Sequence, residues 1–134
     1  MTTKAEAGIL DTSVVIDLSD IKSGLLPAES AITAVTLAEL AAGPHATDDP
    51  IERSIRQERL QWAEATFDAL PFDIAAARSY GRVYALVRAG RRQPRRRLAD
   101  LMIAAIAAGQ HLPLYTRNPA DFAGLESIIT VMPI

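Results

Sequence analysis

Ala7-Gly8-Ile9-Leu10-Asp11-Thr12-Ser13-Val14-Val15-Ile16 holds one charge in ten residues, and that charge lies at its centre. Gly8-Ile9-Leu10 reads as a short buried strand entering a turn. Thr12 and Ser13 are cap-type residues ahead of a predicted helix through Val14–Leu18. Asp11 therefore stands where a strand gives way to a helix, among residues built for burial. An ionised carboxylate in such surroundings is costly unless something pairs with it.

The same isolation recurs twice. Glu39 is the only charge between residues 31 and 43, and Asp100 the only charge from Leu98 to Gly109. Three lone acids in three segments suggest one shared partner, and a single divalent cation satisfies several carboxylates at once. Ligands that are all oxygen favour Mg²⁺, or Mn²⁺ as a substitute, over zinc. Acids holding such ions activate water and stabilise a leaving oxygen, the usual arrangement for cleaving a phosphodiester.

Working outward, short apolar runs alternate with helical patterns. A strand is expected over Ala31–Val35, then a helix capped by Thr36 and stopped at Gly43-Pro44. A longer helix is expected over 50–69, with Ile51, Ile55, Trp62 and Phe67 at near-helical spacing and Glu52 facing Arg56. Leu70–Phe72 reads as a strand and Ile74–Arg88 as a helix. Arg91–Arg97 reads as a loop broken by Pro94. Leu98–Ala108 is apolar all round apart from Asp100 and should be a central helix. Strands at His111–Tyr115 and Ile128–Met132 flank a turn and a short helix through Asp121-Phe122. Alternating strands and helices predict an α/β fold, a mainly parallel sheet with helices on both faces. Ligands gather at the carboxyl ends of such strands. Asp11 falls at one such end, and Thr116 to Asp121 at another. Glu39 and Asp100 are expected in first turns of helices reaching the same edge.

The 134 residues suit one domain over 1–134, and 49% hydrophobic content supplies its core. The absence of cysteine excludes disulfides, zinc–thiolate sites and cysteine nucleophiles. No stretch approaches a membrane span, and the N-terminal residues lack the apolar segment of a signal peptide, so a cytoplasmic protein is expected. Net charge is only −2, yet Ile74 to Ala99 contains no acid and eight of the fourteen basic residues. Arg91, Arg92, Arg95, Arg96 and Arg97 fall within seven positions. Such a block suits phosphate-bearing partners.

Ile9-Leu10-Asp11-Thr12-Ser13 resembles the opening of a PIN domain. Thr36-Leu37-Ala38-Glu39-Leu40 is similar to the segment of its second acid, and Ala99-Asp100-Leu101-Met102-Ile103-Ala104-Ala105 to that of its third. Thr116-Arg117-Asn118-Pro119-Ala120-Asp121-Phe122 is similar to its closing signature. In this order, from residue 9 to 132, the four segments resemble the VapC toxins of bacterial VapBC toxin–antitoxin systems. The resemblance implies a three-layer α/β/α fold, a Mg²⁺-dependent endoribonuclease acting on an RNA substrate, and a cognate VapB-type antitoxin whose C-terminal segment wraps the toxin. It also implies a homodimer or a toxin–antitoxin hetero-oligomer. Many relatives carry a glycine and a β-branched residue a few positions before the third acid. Here that segment is Arg95-Arg96-Arg97-Leu98.

Asp11, Glu39, Asp100 and Asp121 are thus the expected catalytic and metal-holding acids, with Thr12 and Asn118 contacting substrate phosphate or orienting an acid. Asp121 could instead cap its short helix, and Asp17 reads as a surface charge. His45 and His111 have no second histidine at metal spacing. Trp62 and Phe67 suit a core or a partner face. A phosphoacceptor domain would need a lysine on a late strand, and only Lys4 and Lys22 exist. Neither glycine-rich nucleotide motif is present. The remaining alternative is a non-catalytic PIN-like RNA-binding or scaffold domain, which has no use for four costly acids.

Overall fold

Ile9 and Leu10 project to opposite faces of a sheet and anchor two separate cores. They end the first strand, β1 (Ala7–Leu10), in a computed structural model that describes residues 6–134, the side chains of Arg95 and Arg96 excepted. The other strands are β2 (Glu29–Thr33), β3 (Ala69–Leu70), β4 (Leu114–Thr116) and β5 (Val131–Pro133). They form a parallel sheet in the order β3-β2-β1-β4-β5. The helices are α1 (Thr12–Ile16), α2 (Ala34–Ala42), α3 (Pro50–Thr66), α4 (Ile74–Ala89) and α5 (Leu98–Gln110).

Side chains alternate along a strand, so each strand feeds both faces. Ile9 and Leu114 join Ala76, Val83 and Val87 of α4 and the Leu101–Ala108 stretch of α5. Leu10, Ile32 and Tyr115 join Val14 and Val15 of α1, Leu40 of α2 and Ala63 of α3. The result is the expected α/β/α arrangement of three layers. The alanine-rich α5 packs closely on α4: a Cβ on Gly109 would lie 3.1 Å from the backbone of Ala75 and Ala76. At the other layer, a Cβ on Gly8 would come within 2.5 Å of the Tyr115 ring. Both positions need glycine for close approach.

Several local expectations shift. The second strand lies two residues earlier than Ala31–Val35, and α2 is capped by Thr33, whose hydroxyl accepts from Thr36 N, so Thr36 is not the cap. Thr12 and Ser13 lie inside α1, with Asp11 at its N-cap, so their hydroxyls are free for other work. The strands expected at Leu70–Phe72, His111–Tyr115 and Ile128–Met132 are displaced to Ala69–Leu70, Leu114–Thr116 and Val131–Pro133. The helix expected over 50–69 ends at Thr66. His111 turns the chain with a left-handed backbone, φ 55°, after α5. Small residues and β-branched residues at these junctions fit strand, cap and helix alike, and tertiary pairing chose the register.

The strand order positions the site. From β1 the chain moves outward to β2 and β3, then crosses back through α4 and α5 to lay β4 on the other side of β1. The carboxyl ends of β1 and β4 flank this reversal, where a crevice opens in parallel sheets.

Candidate active site

Asp11 follows β1 at that crevice and is 4% exposed. Its Oδ2 accepts from two hydroxyls, Thr116 at 2.8 Å and Ser13 at 2.9 Å. Ser13 Oγ in turn accepts from Arg117 N, and Thr116 Oγ1 from Asn118 N, so both hydroxyl donors are held by the turn after β4. Burial pushes the Asp11 carboxyl up, against these hydrogen bonds and a backbone bond from Thr12 that pull it down.

Glu39 lies on α2, the helix that follows the neighbouring strand β2. Thr12 Oγ1 donates to Glu39 Oε1 at 2.7 Å. A hydroxyl has one proton, so Thr12 must accept from Thr36 Oγ1, 2.9 Å away. Thr36 receives the Thr33 hydroxyl over a longer 3.4 Å. Three hydroxyls thus point their protons in one direction, Thr33 to Thr36 to Thr12 to Glu39, and such chains reinforce each other. Glu39 itself is exposed and sits in the second turn of α2, not the first. The cost of burial, which singled out three acids in the sequence, applies to Asp11 fully, to the half-buried Asp100 in part, and to Glu39 not at all.

Asp100 lies in the first turn of α5. Burial is the largest influence on it, followed by the charges of Asp11, Asp121 and Glu39, and together they push its pKa up to about 6. Arg97 opposes them. The four acids therefore share one electrostatic neighbourhood although their segments span residues 11 to 121. Asp121, in the 3₁₀ turn Pro119–Phe122, pairs with Arg97: Nη1 donates to Oδ1 at 2.9 Å. Asn118 precedes this turn, is exposed, and engages through its backbone N–H. Asp17 pairs with Arg117 at 3.4 Å, a surface contact as expected.

The donor set is all carboxylate oxygen, crowded enough to repel, and fits a hard divalent cation by its chemistry. Among the described residues, however, no three acids or histidines stand ready-made around a common metal position. Three of the four acids are held by partners of their own: hydroxyls for Asp11, Thr12 for Glu39, and Arg97 for Asp121. A cation would recruit the carboxylates from these contacts. Ser13, Thr116, Thr36 and Arg97 were not singled out as site residues from sequence. A signal existed for one of them: Thr116 ends the apolar run Leu114-Tyr115, where a hydroxyl has few other uses.

The PIN domain family matches residues 9–125 of the chain. The chain belongs to the PIN-domain family. Within it, the chain is 41% identical to the ribonuclease VapC5 of Mycobacterium tuberculosis, over 98% of this chain and 96% of that protein. Its fold matches the crystal structure of a VapBC family member, VapBC-5 of the same organism, with a TM-score of 0.85 and 36% identity over 96% of this chain and 99% of the other. The structure of VapBC2 from Rickettsia felis, bound to a promoter DNA fragment, matches with a TM-score of 0.74 at 19% identity over 96% and 98%, a likeness of fold. PIN-domain ribonucleases generally depend on a divalent metal. Among the described residues of this PIN domain, no helix is long and apolar enough to cross a membrane.

Proposed function

We propose that this PIN domain, acting as one unit over residues 1–134, is the Mg²⁺-dependent endoribonuclease toxin of a VapBC-type module, working in the cytoplasm and silenced by a cognate VapB-type antitoxin. The observation that carries the reading is that Asp11, Asp121 and Glu39, from separate segments, all bear on Asp100, their repulsion adding to the burial that is the larger cause of its pKa rise to about 6. A protein with no use for clustered acids would gain by losing them. The 41% identity to a ribonuclease supports the same chemistry.

Asp11, Glu39, Asp100 and Asp121 would hold the ion, Mg²⁺ or Mn²⁺ in its place. When bound, the ion supplies positive charge opposite the phosphate and its leaving oxygen and acidifies the attacking water. The chain's own groups do the remaining work. Ser13 and Thr116 fix the orientation of Asp11, and buttressing of this kind is worth 10–100-fold in metal affinity or activity in metal sites generally. The hydroxyl relay through Thr12 fixes Glu39. Arg97, free to exchange Asp121 for a phosphate, would help neutralise the substrate backbone together with Thr12 and Asn118 at the rim.

The antitoxin reading rests on the VapBC complexes whose fold this chain shares. The exposed face of α3 is its proposed seat: Ile51, Ile55 and Trp62 are 74%, 45% and 46% exposed. The same face, or its neighbour, would serve a homodimer or hetero-oligomer.

The test is incubation of the purified protein with total RNA, followed by mapping of the cleaved ends. Cleavage in Mg²⁺ or Mn²⁺, lost in EDTA and in Asp100→Asn, is the expected result. Full activity in EDTA or in that variant overturns the mechanism.

A further inference from the structure

A second feature lies outside the acid cluster. A cavity of about 430 Å³ opens where α4 meets the following loop, lined by Tyr84, Arg88, Arg92, Gln93 and Pro94. Tyr84 is 39% exposed, and Arg88 follows it by one helical turn on the same face. The Tyr84 ring is braced from behind: Tyr80 lies 6.3 Å away, and Phe72 lies 6.3 Å beyond Tyr80. Among the described residues Arg88 has no carboxylate partner. The segment around it carries no acid from Ile74 to Ala99. An exposed, braced ring sharing a pocket with two guanidinium groups suits a planar ligand that carries negative charge.

Two contacts join this pocket to the acid cluster. Arg92 Nη1 donates to the Ala120 carbonyl at 2.8 Å, one residue before Asp121. Arg97, from the same loop, holds Asp121 itself. One wall of the pocket is thus tied to the segment that carries Asp121.

We propose that Tyr84, Arg88 and Arg92 form a base-stacking subsite that receives an unpaired nucleobase of single-stranded RNA beside the phosphate at the acid cluster. The inference rests on the ribonuclease reading above. A stacked base gains dispersion and cation–π contact, and its neighbouring phosphates meet Arg88 and Arg92. Duplex RNA keeps its base faces stacked inside the helix and cannot offer one to Tyr84. The subsite therefore selects single-stranded segments and loops over paired stems.

The probe is a single-stranded oligoribonucleotide of about 12 nucleotides carrying 2-aminopurine. It is titrated into the Asp100→Asn protein, so that binding is read without turnover. Binding should quench the probe's fluorescence. Tyr84→Ala should weaken binding roughly tenfold and abolish the quench, and Tyr84→Phe should restore both. Arg88→Gln should weaken binding and flatten its salt dependence while keeping the quench. Arg88 is exposed, so this variant keeps the test decisive even if Tyr84→Ala proves unstable. Affinity of Tyr84→Ala within about twofold of its parent overturns the proposal. So does an equal loss for the matching duplex, or a loss confined to an acidic protein partner. If the unsubstituted protein cleaves RNA while Tyr84→Ala binds normally, the subsite alone falls. If it neither binds nor cleaves RNA, both readings fall.

Discussion

Arg97 Nη1 lies 2.9 Å from Asp121 Oδ1, placing a cation that opposes the Asp100 shift directly on a neighbouring acid. The pair is about one-third exposed on each side, so it contributes little to stability, at most about 1 kcal/mol. Its role is electrostatic. Arg97→Gln should leave the melting temperature nearly unchanged and raise the Asp100 pKa above about 6. Carboxyl-carbon NMR titration reads the shift. An unmoved Asp100 with a large loss of stability would make Arg97 a structural residue.

Asp100 also sets a pH dependence. The unfolded chain releases this proton near its model value of 3.8, whereas the native protein holds it to about 6. Between pH 4 and 6 the native state binds the extra proton, so metal-free stability should fall as pH rises through that window. The limiting slope is about 1.4 kcal/mol per pH unit for one proton. Asp11, also raised, acts with the same sign. Asp100→Asn should flatten the curve and be more stable than the parent at pH 7 without metal. Denaturant melts at several pH values in EDTA check this. A parent whose stability changes between pH 4 and 6 just as that of Asp100→Asn does would show that the native state does not hold the Asp100 proton.

Thr116→Val isolates the buried hydroxyl that Asp11 accepts. Removing a hydrogen bond to a charged group costs roughly 1.5–3 kcal/mol. Asp11 should become harder to ionise, since Thr116 is its largest stabilising contact. The expected signature is weaker Mn²⁺ binding by calorimetry with the fold retained. Parent-like affinity would leave Ser13 and Thr12 as sufficient supports.

Trp62, half exposed, stacks edge-on against Phe67 at 5.4 Å. Trp62→Ala should therefore cost the isolated protein little stability. If α3 seats the antitoxin, the same change should weaken that complex by about 2 kcal/mol or more. Differential scanning of the free protein beside titration of the complex distinguishes the two. Collapse of stability with no further loss of binding would place Trp62 in the core and the partner elsewhere.

Much of this was readable in advance, for identifiable reasons. Alternating short apolar runs and helical patterns gave the parallel α/β layering, because burial on both faces demands it. Asp11 and Asp100 stood out because a charge in an apolar run is expensive. Glu39 was found by the same pattern, although its side chain faces solvent. An alanine-rich helix does not reveal which way its one acid points. The cap of α2 moved from Thr36 to Thr33 because both threonines suit that position, and the Thr12–Thr36 hydroxyl contact settles the matter only in three dimensions. Arg97 lay in a run of arginines with nothing local to distinguish it from its neighbours. Its partner is 24 residues away.

The placement of β1 between β2 and β4 has a consequence for biosynthesis. Asp11 is made well before its support, because the hydroxyl of Thr116 that steadies it lies 105 positions later. Parallel strands so distant in sequence cannot pair until the intervening segments have been made. The nascent chain therefore carries an unassembled crevice until β4 and the Pro119–Phe122 turn behind it have been made. Its chemistry switches on only when those distant segments reach β1.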